Sequence, residues 1–144
     1  MYIKTERLVI RDLEQKDIPE LIRIVWQKNV LKFMKDWSEN TSFPDVLQKY
    51  IDWHQKQKNS TDIYESKRYA VVLPNDDKLI GIVGMGLEDV VNEVEMAYFI
   101  DEEHQGKGYA AEVLSALFDW CISVSDLPYL ILIIDCANIA SCRV

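Results

Sequence analysis

Basic residues all but vanish from the second half of this chain: residues 79–142 hold one, Lys107, against 11 acids. Residues 1–78 hold 14 Lys and Arg and 13 Asp and Glu, so the net charge of −8 arises in the second half. An acidic region of this kind repels phosphate and attracts cations, which argues against a nucleic-acid partner. It is either a solvated face that aids solubility or a field that steers a cationic substrate. No run of eighteen or more uncharged apolar residues occurs, so no membrane span is expected. The start, Met1-Tyr2-Ile3-Lys4-Thr5-Glu6-Arg7, lacks the apolar core and cleavage site of a signal peptide, and a cytoplasmic location is expected. Cys121, Cys136 and Cys142 are odd in number and form no CxxC pair. A disulfide framework or zinc site is disfavoured, no metal is expected, and buried reduced thiols are the better reading. Repeats, low-complexity tracts and linkers are also missing, which leaves one domain over residues 1–144.

What is present reads as an α/β chain. Residues 5–12 have the composition of a strand, and Asp17-Ile18-Pro19-Glu20 resembles a capping box opening a helix with Ile18, Leu21, Ile22 and Val25 as its apolar stripe. A second helix is expected from about Ser42, with Pro44 in its first turn and Phe43, Val46, Leu47, Tyr50, Ile51 and His54 at helical spacing. Trp26, Trp37, Trp53 and Tyr50 are read chiefly as core, with Trp37, in a polar connection, as a residue that could line an acceptor site. Residues 69–73 and 79–87 make a hairpin across the turn residues 74–77, and residues 93–100 add a third strand.

The pattern then turns to a crossover. Strand 93–100, a glycine-bearing turn, a helix from Gly108 to about Val124 and an apolar strand at 129–134 form a βαβ unit. Val113, Leu114, Leu117, Phe118 and Cys121 are expected to face the sheet, with Glu112, Ser115, Asp119 and Ser123 as the wet stripe. Leu130-Ile131-Leu132-Ile133-Ile134 lacks alternation, as a strand covered on both faces would.

Chemistry concentrates in the turn His104-Gln105-Gly106-Lys107-Gly108-Tyr109-Ala110. Glycines let backbone approach a ligand, and successive amides at a helix start form a positive pocket for phosphate oxygens. Taken alone this says no more than an anion at a helix N-terminus, and a plain structural turn would fit as well. Gly81, Gly84 and Gly86 lie within an expected strand and in the wrong order for a dinucleotide fingerprint, so that fold is rejected.

Gln105-Gly106-Lys107-Gly108-Tyr109-Ala110 fits the pattern Q/R-x-x-G-x-G/A at every fixed position, and with it the chain resembles the GNAT superfamily of N-acetyltransferases. Thr5 to Arg11 looks like that family's opening strand, Glu95 to Asp101 like its fourth strand, and Asn138 to Val144 like the start of its fourth helix in the branch resembling ribosomal-protein N-terminal acetyltransferases. The resemblance implies a mixed, mostly antiparallel sheet with a central parallel βαβ acetyl-coenzyme A site and helices on both faces. It implies that Gln105, Gly106, Lys107, Gly108, Tyr109 and Ala110 hold the coenzyme pyrophosphate. Tyr98, Phe99 and Ile100 would pair backbone with the pantetheine arm, and Asn138 would touch the same arm.

It further implies direct transfer of acetyl to a primary amine, with Glu95 as proton acceptor; Glu93, two residues earlier on the same strand face, and Trp37, from its polar connection, are the residues expected beside the acceptor. The acceptor is expected to be a small cationic amine or a protein amino terminus. The alternative is a coenzyme-binding or interaction module without turnover. The family pattern continues past Ser141 into the rest of a helix and two more strands, which this chain lacks. The implied reading is therefore a C-terminally incomplete domain, or one whose open edge is covered by another subunit, as in a homodimer.

Overall fold

The computed structural model describes residues 1–34, 44–56 and 60–144. Five strands form one antiparallel sheet in chain order: β1 (Tyr2–Lys4), β2 (Val9–Asp12), β3 (Lys67–Val72), β4 (Leu79–Glu88) and β5 (Glu93–Ile100). Helices α1 (Ile18–Val25), α2 (Lys28–Phe33) and α3 (Pro44–Lys56) come between β2 and β3, and α4 (Tyr109–Val124) follows β5. Side-chain alternation sorts the sheet into two faces. Ile10, Val71, Val83, Met85, Val94, Met96 and Ile100 pack with Val113, Leu114, Leu117 and Cys121 of α4. Val9, Ala70, Val72, Ile82 and Phe99 pack with Leu21, Ile24 and Val25 of α1, Val30 of α2, and Leu47 and Ile51 of α3. Helices thus cover both faces, as the resemblance implied.

Several local expectations change. The strand expected over residues 5–12 begins only at Val9, and an unforeseen β1 precedes it. Thr5 causes the break: its amide donates to the Leu8 carbonyl at 2.9 Å, and its hydroxyl accepts the Leu8 amide at 3.0 Å, closing a turn between β1 and β2. Asp17 does not cap α1; its carboxylate takes the buried Arg11 guanidinium at 2.7 Å and the Glu14 amide at 2.8 Å instead. A short α2 was not foreseen, Trp26 is 54% exposed, and Trp53 is exposed rather than core. Trp37 and the expected helix start near Ser42 lie outside the described residues. Of the cysteines, Cys121 is buried but Cys136 and Cys142 are exposed.

On α4, Phe118 is 38% exposed, at the margin of the buried stripe rather than in it. Glu112 is no part of a wet face either, as described below. The largest departure is at 129–134, where the expected strand shrinks to one parallel bridge between Ile131 and Glu95. Ile131 donates to the Val94 carbonyl at 3.0 Å and accepts from the Met96 amide at 2.9 Å. The next donor, the Ile133 amide, turns to the Glu95 side chain at 3.3 Å instead of extending the ladder. Among the described residues nothing covers the far side of this segment, and Ile133 is 59% exposed. An apolar run is buried on both faces only where two layers enclose it. No described helix is long and apolar enough to cross a membrane.

α3 is fastened to the sheet by a group with a measurable signature. Just beyond the last β2–β3 pair, Asp12 with Tyr69, the Arg68 amide donates to His54 Nε2 at 3.0 Å, which also lies 2.7 Å from the Tyr50 hydroxyl. Burial, reinforced by nearby Arg68 and Lys67 and opposed by Asp12, pushes the His54 pKa down from 6.5 to about 4. The unfolded chain therefore binds this proton more readily than the folded one. The stability it protects is complete above about pH 6.5 and is lost as pH falls towards 4. A calorimetric midpoint that falls over this window in the native chain, and falls less in His54→Gln, is the expected outcome.

Candidate functional site

The turn between β5 and α4 is built around two left-handed residues, Gly106 at φ 72° and Gly108 at φ 77°. A Cβ at Gly106 would meet nothing within 4 Å, and one at Gly108 would meet only the Arg7 guanidinium at 3.5 Å. Glycine is demanded here by backbone conformation rather than by crowding, and open space lies above the loop. Gly108 is the N-cap of α4, so the first amides of a sixteen-residue helix open into that space with their share of the helix dipole. Gln105, Gly106, Lys107 and Gly108 are exposed, and Tyr109 and Ala110 are half-buried. Gln105 Nε2 donates to the Ile100 carbonyl at 2.8 Å, which seats the turn on the end of β5. Lys107 Nζ donates to the Glu103 carbonyl at 3.0 Å.

Immediately before the turn, β5 has a free edge among the described residues. Met96 and Val94 direct their backbone groups at Ile131, and a strand residue sends its N–H and C=O to the same side. By alternation Tyr98 and Ile100 point the same way, beyond the last bridge, whereas Glu95, Ala97 and Phe99 address β4. Among the described residues the amides of Tyr98 and Ile100 therefore have no strand partner, and they form an edge leading into the glycine turn. Phe99, expected beside them, has its backbone on β4 and its side chain buried under the α1 and α3 layer.

Glu93 and Glu95 share the sheet face opposite α4, both half-buried. Glu93 accepts the Tyr129 hydroxyl at 2.9 Å. The Glu95 carboxyl lies above its ordinary value because burial raises it more than the Ile133 amide bond lowers it. It stands where the bridge ends and the free edge begins. Asn138 sits farther along, in a turn where its Oδ1 accepts the Ser141 amide at 3.2 Å; the expected helix there is a short 3-10 turn, Ser141–Arg143.

Sequence reasoning missed Asp101, the hinge of the arrangement. Its side chain is 0% exposed and accepts from Gln27 at 2.6 Å, Arg23 at 2.8 Å and His104 at 3.1 Å. Burial alone would raise this carboxyl, yet the bonds from Gln27, Arg23 and His104 hold it at about 2. Gln27, the N-cap of α2, returns a bond by accepting the Glu102 amide at 2.9 Å, so the junction of α1 and α2 is tied to the residues that enter the glycine turn. Asp101, Glu103 and His104 bring possible metal ligands together, but Arg23 already neutralises the central carboxylate. A lone Asp after a strand carries no signal of this role.

Residues 7–144 match the family described as Acetyltransferase (GNAT) domain. An uncharacterized N-acetyltransferase p20 from Bacillus licheniformis is 30% identical over 117 residues, 81% of this chain and 63% of that protein, so the chain spans less than two thirds of this relative. The ribosomal-protein-S5-alanine acetyltransferase from Vibrio fischeri superposes with a TM-score of 0.79 at 16% identity, over 99% of this chain and 79% of the other. A ribosomal L7/L12 alpha-N-protein acetyltransferase, solved in complex with coenzyme A, superposes with a TM-score of 0.77 at 18% identity, over 99% and 80%. At such identities the two structures speak for the fold alone.

Proposed function

The chain belongs to the GNAT acetyltransferase family, and from that premise we propose that it moves the acetyl group of acetyl-coenzyme A to a primary amine, either a small cationic amine or a protein amino terminus. One observation carries the proposal: the Tyr98 and Ile100 amides, without a strand partner among the described residues, run directly into a helix start opened by two left-handed glycines. An extended amide-bearing arm ending in a pyrophosphate matches that sequence of donors. In this reading the backbone of Gln105 to Ala110 receives the pyrophosphate, with Lys107 adding charge. Tyr98 and Ile100 pair with the arm, Phe99 spaces them, and Asn138 contacts the arm from the far side. Glu93 borders the acceptor.

Acetyl-coenzyme A, when bound, would supply an activated thioester. The acceptor nitrogen attacks its carbonyl, an edge amide stabilises the oxyanion, and the amine proton passes to Glu95 directly or through water. The carbon–sulfur bond then breaks, and the thiolate takes a proton from solvent. The test is calorimetry with acetyl-coenzyme A, followed by transfer assays over a panel of amines. Absence of binding would overturn the proposal.

The field of the acidic region suggests which amines react. Residues 88–103 contain seven carboxylates and no Lys or Arg, and they flank β5. Cations are concentrated near such a surface, and the effect fades once salt shortens the screening length to ~10 Å or below. The expected outcome is a kcat/KM advantage of a cationic over a matched neutral amine at low ionic strength that shrinks as salt rises. An advantage indifferent to salt would reduce the acidic region to a solubility feature.

A further inference from the structure

Lys107 is flanked by two glycines in left-handed conformation, and glycine restrains its neighbouring peptides very little. A loop of that composition would sample many orientations of the 107–108 peptide. One contact selects among them: Arg7 Nη1 donates to the Lys107 carbonyl at 2.8 Å. Across a planar trans peptide, C=O and the following N–H point in opposite directions. Holding the Lys107 carbonyl against Arg7 therefore turns the Gly108 amide away from Arg7, towards the open side of the loop.

Arg7 is itself held on every side. Its Nε and Nη2 both reach Glu112 Oε2 at 2.7 Å, and its own amide donates to Glu112 Oε1 at 2.8 Å. The Thr5 hydroxyl donates to the same Oε1, and the Tyr109 ring lies 4.8 Å from the guanidinium carbon. Burial would raise the Glu112 carboxyl, but the bonds from Thr5 and Arg7 lower it, so Glu112 stays charged at neutral pH. Glu112 cancels the charge of Arg7 and takes two of its three nitrogens, and the third is spent on Lys107. Such a side chain has geometry to offer a ligand's surroundings and little net charge.

We propose that Arg7, braced by Thr5 and Glu112, is a positioning residue that presets the Gly108 amide for the coenzyme pyrophosphate. The inference rests on reading the glycine turn as the pyrophosphate site. It concerns the fork of the guanidinium, which a lysine cannot reproduce even though it keeps the charge.

The experiment uses the full chain, with Arg7→Lys and Arg7→Gln as variants. Acetyl-coenzyme A affinity is measured by calorimetry, and that of S-acetylpantetheine, which lacks the pyrophosphate, by ligand-observed NMR on the same samples. Both variants should weaken acetyl-coenzyme A binding about tenfold, the size expected for one charge-assisted hydrogen bond. S-acetylpantetheine should change less than about twofold on this account. The ratio of the two affinities within one sample cancels any loss of folded protein. Wild-type acetyl-coenzyme A affinity in Arg7→Lys would overturn the inference, and so would equal losses for both ligands, which place Arg7 in the fold alone. If the native chain binds acetyl-coenzyme A no better than Gly108→Asp does, the pyrophosphate reading falls, and the role of Arg7 falls with it.

Discussion

Gly108→Asp is expected to weaken acetyl-coenzyme A binding by about a thousandfold. The substitution sets a carboxylate at the first amides of α4, where the pyrophosphate is proposed to lie. At an effective dielectric near 20 and a separation of about 4 Å, two like charges repel by about 4 kcal/mol, which is roughly three decades in affinity. Backbone strain at the left-handed φ of Gly108 adds to the loss, though less for Asp than for most residues. Crowding adds little, since the nearest atom to a Cβ there is the Arg7 guanidinium at 3.5 Å. Gly108→Asn separates these terms: it has nearly the same shape and the same backbone tolerance without the charge. Calorimetry should show Asn losing far less than Asp. Equal losses would make shape the cause, and equal retention would remove the helix start from the site.

The turn was legible in the sequence because its signal is local. Two glycines one residue apart, a helix pattern starting at once and a fitting spacing from Gln105 to Ala110 need no knowledge of the rest of the chain. β3, β4 and β5 were legible for the same reason, and their bounds shift by only a residue or two. What escaped depends on partners distant in sequence. Glu112 sits on the polar side of the helical wheel, so periodicity assigns it to water; its bonds to Arg7 span a separation of 105 residues. Asp101 gives no local hint that Arg23 and Gln27 will converge on it. Residues 129–134 misled in the opposite direction. Their uninterrupted apolar composition describes a strand enclosed by two layers, and composition cannot say whether the second layer is there. Phe99 shows the finest limit: whether its amide or that of its neighbours faces the open edge follows from the pairing register of β4 and β5, which a single strand's sequence does not contain.

Glu95→Gln should lower kcat by about a hundredfold to ten-thousandfold, the range general acid–base catalysis contributes in enzymes, while changing acetyl-coenzyme A affinity by less than about twofold. The carboxylate stands at the end of the bridge to Ile131, one side chain from the free edge, and Gln keeps the oxygen that accepts the Ile133 amide. Burial raises the Glu95 carboxyl above its ordinary 4.5, with the Ile133 bond opposing. The base form is the charged one, so the native rate should decline as pH drops through this elevated value, and Gln should erase that acid limb. The same shift fixes the sign of the stability effect. A carboxyl whose folded pKa is raised contributes stability that is complete below its unfolded value and lost as pH rises through the folded one. At neutral pH the charged Glu95 is therefore held in place at a cost that Gln removes. Glu95→Gln should melt no lower than the native chain there, and a collapse in turnover cannot then be assigned to unfolding. Turnover equal to the native chain at neutral pH would take Glu95 out of the mechanism. A rate loss with the acid limb intact would leave it a contact to the acceptor and move the proton to another base.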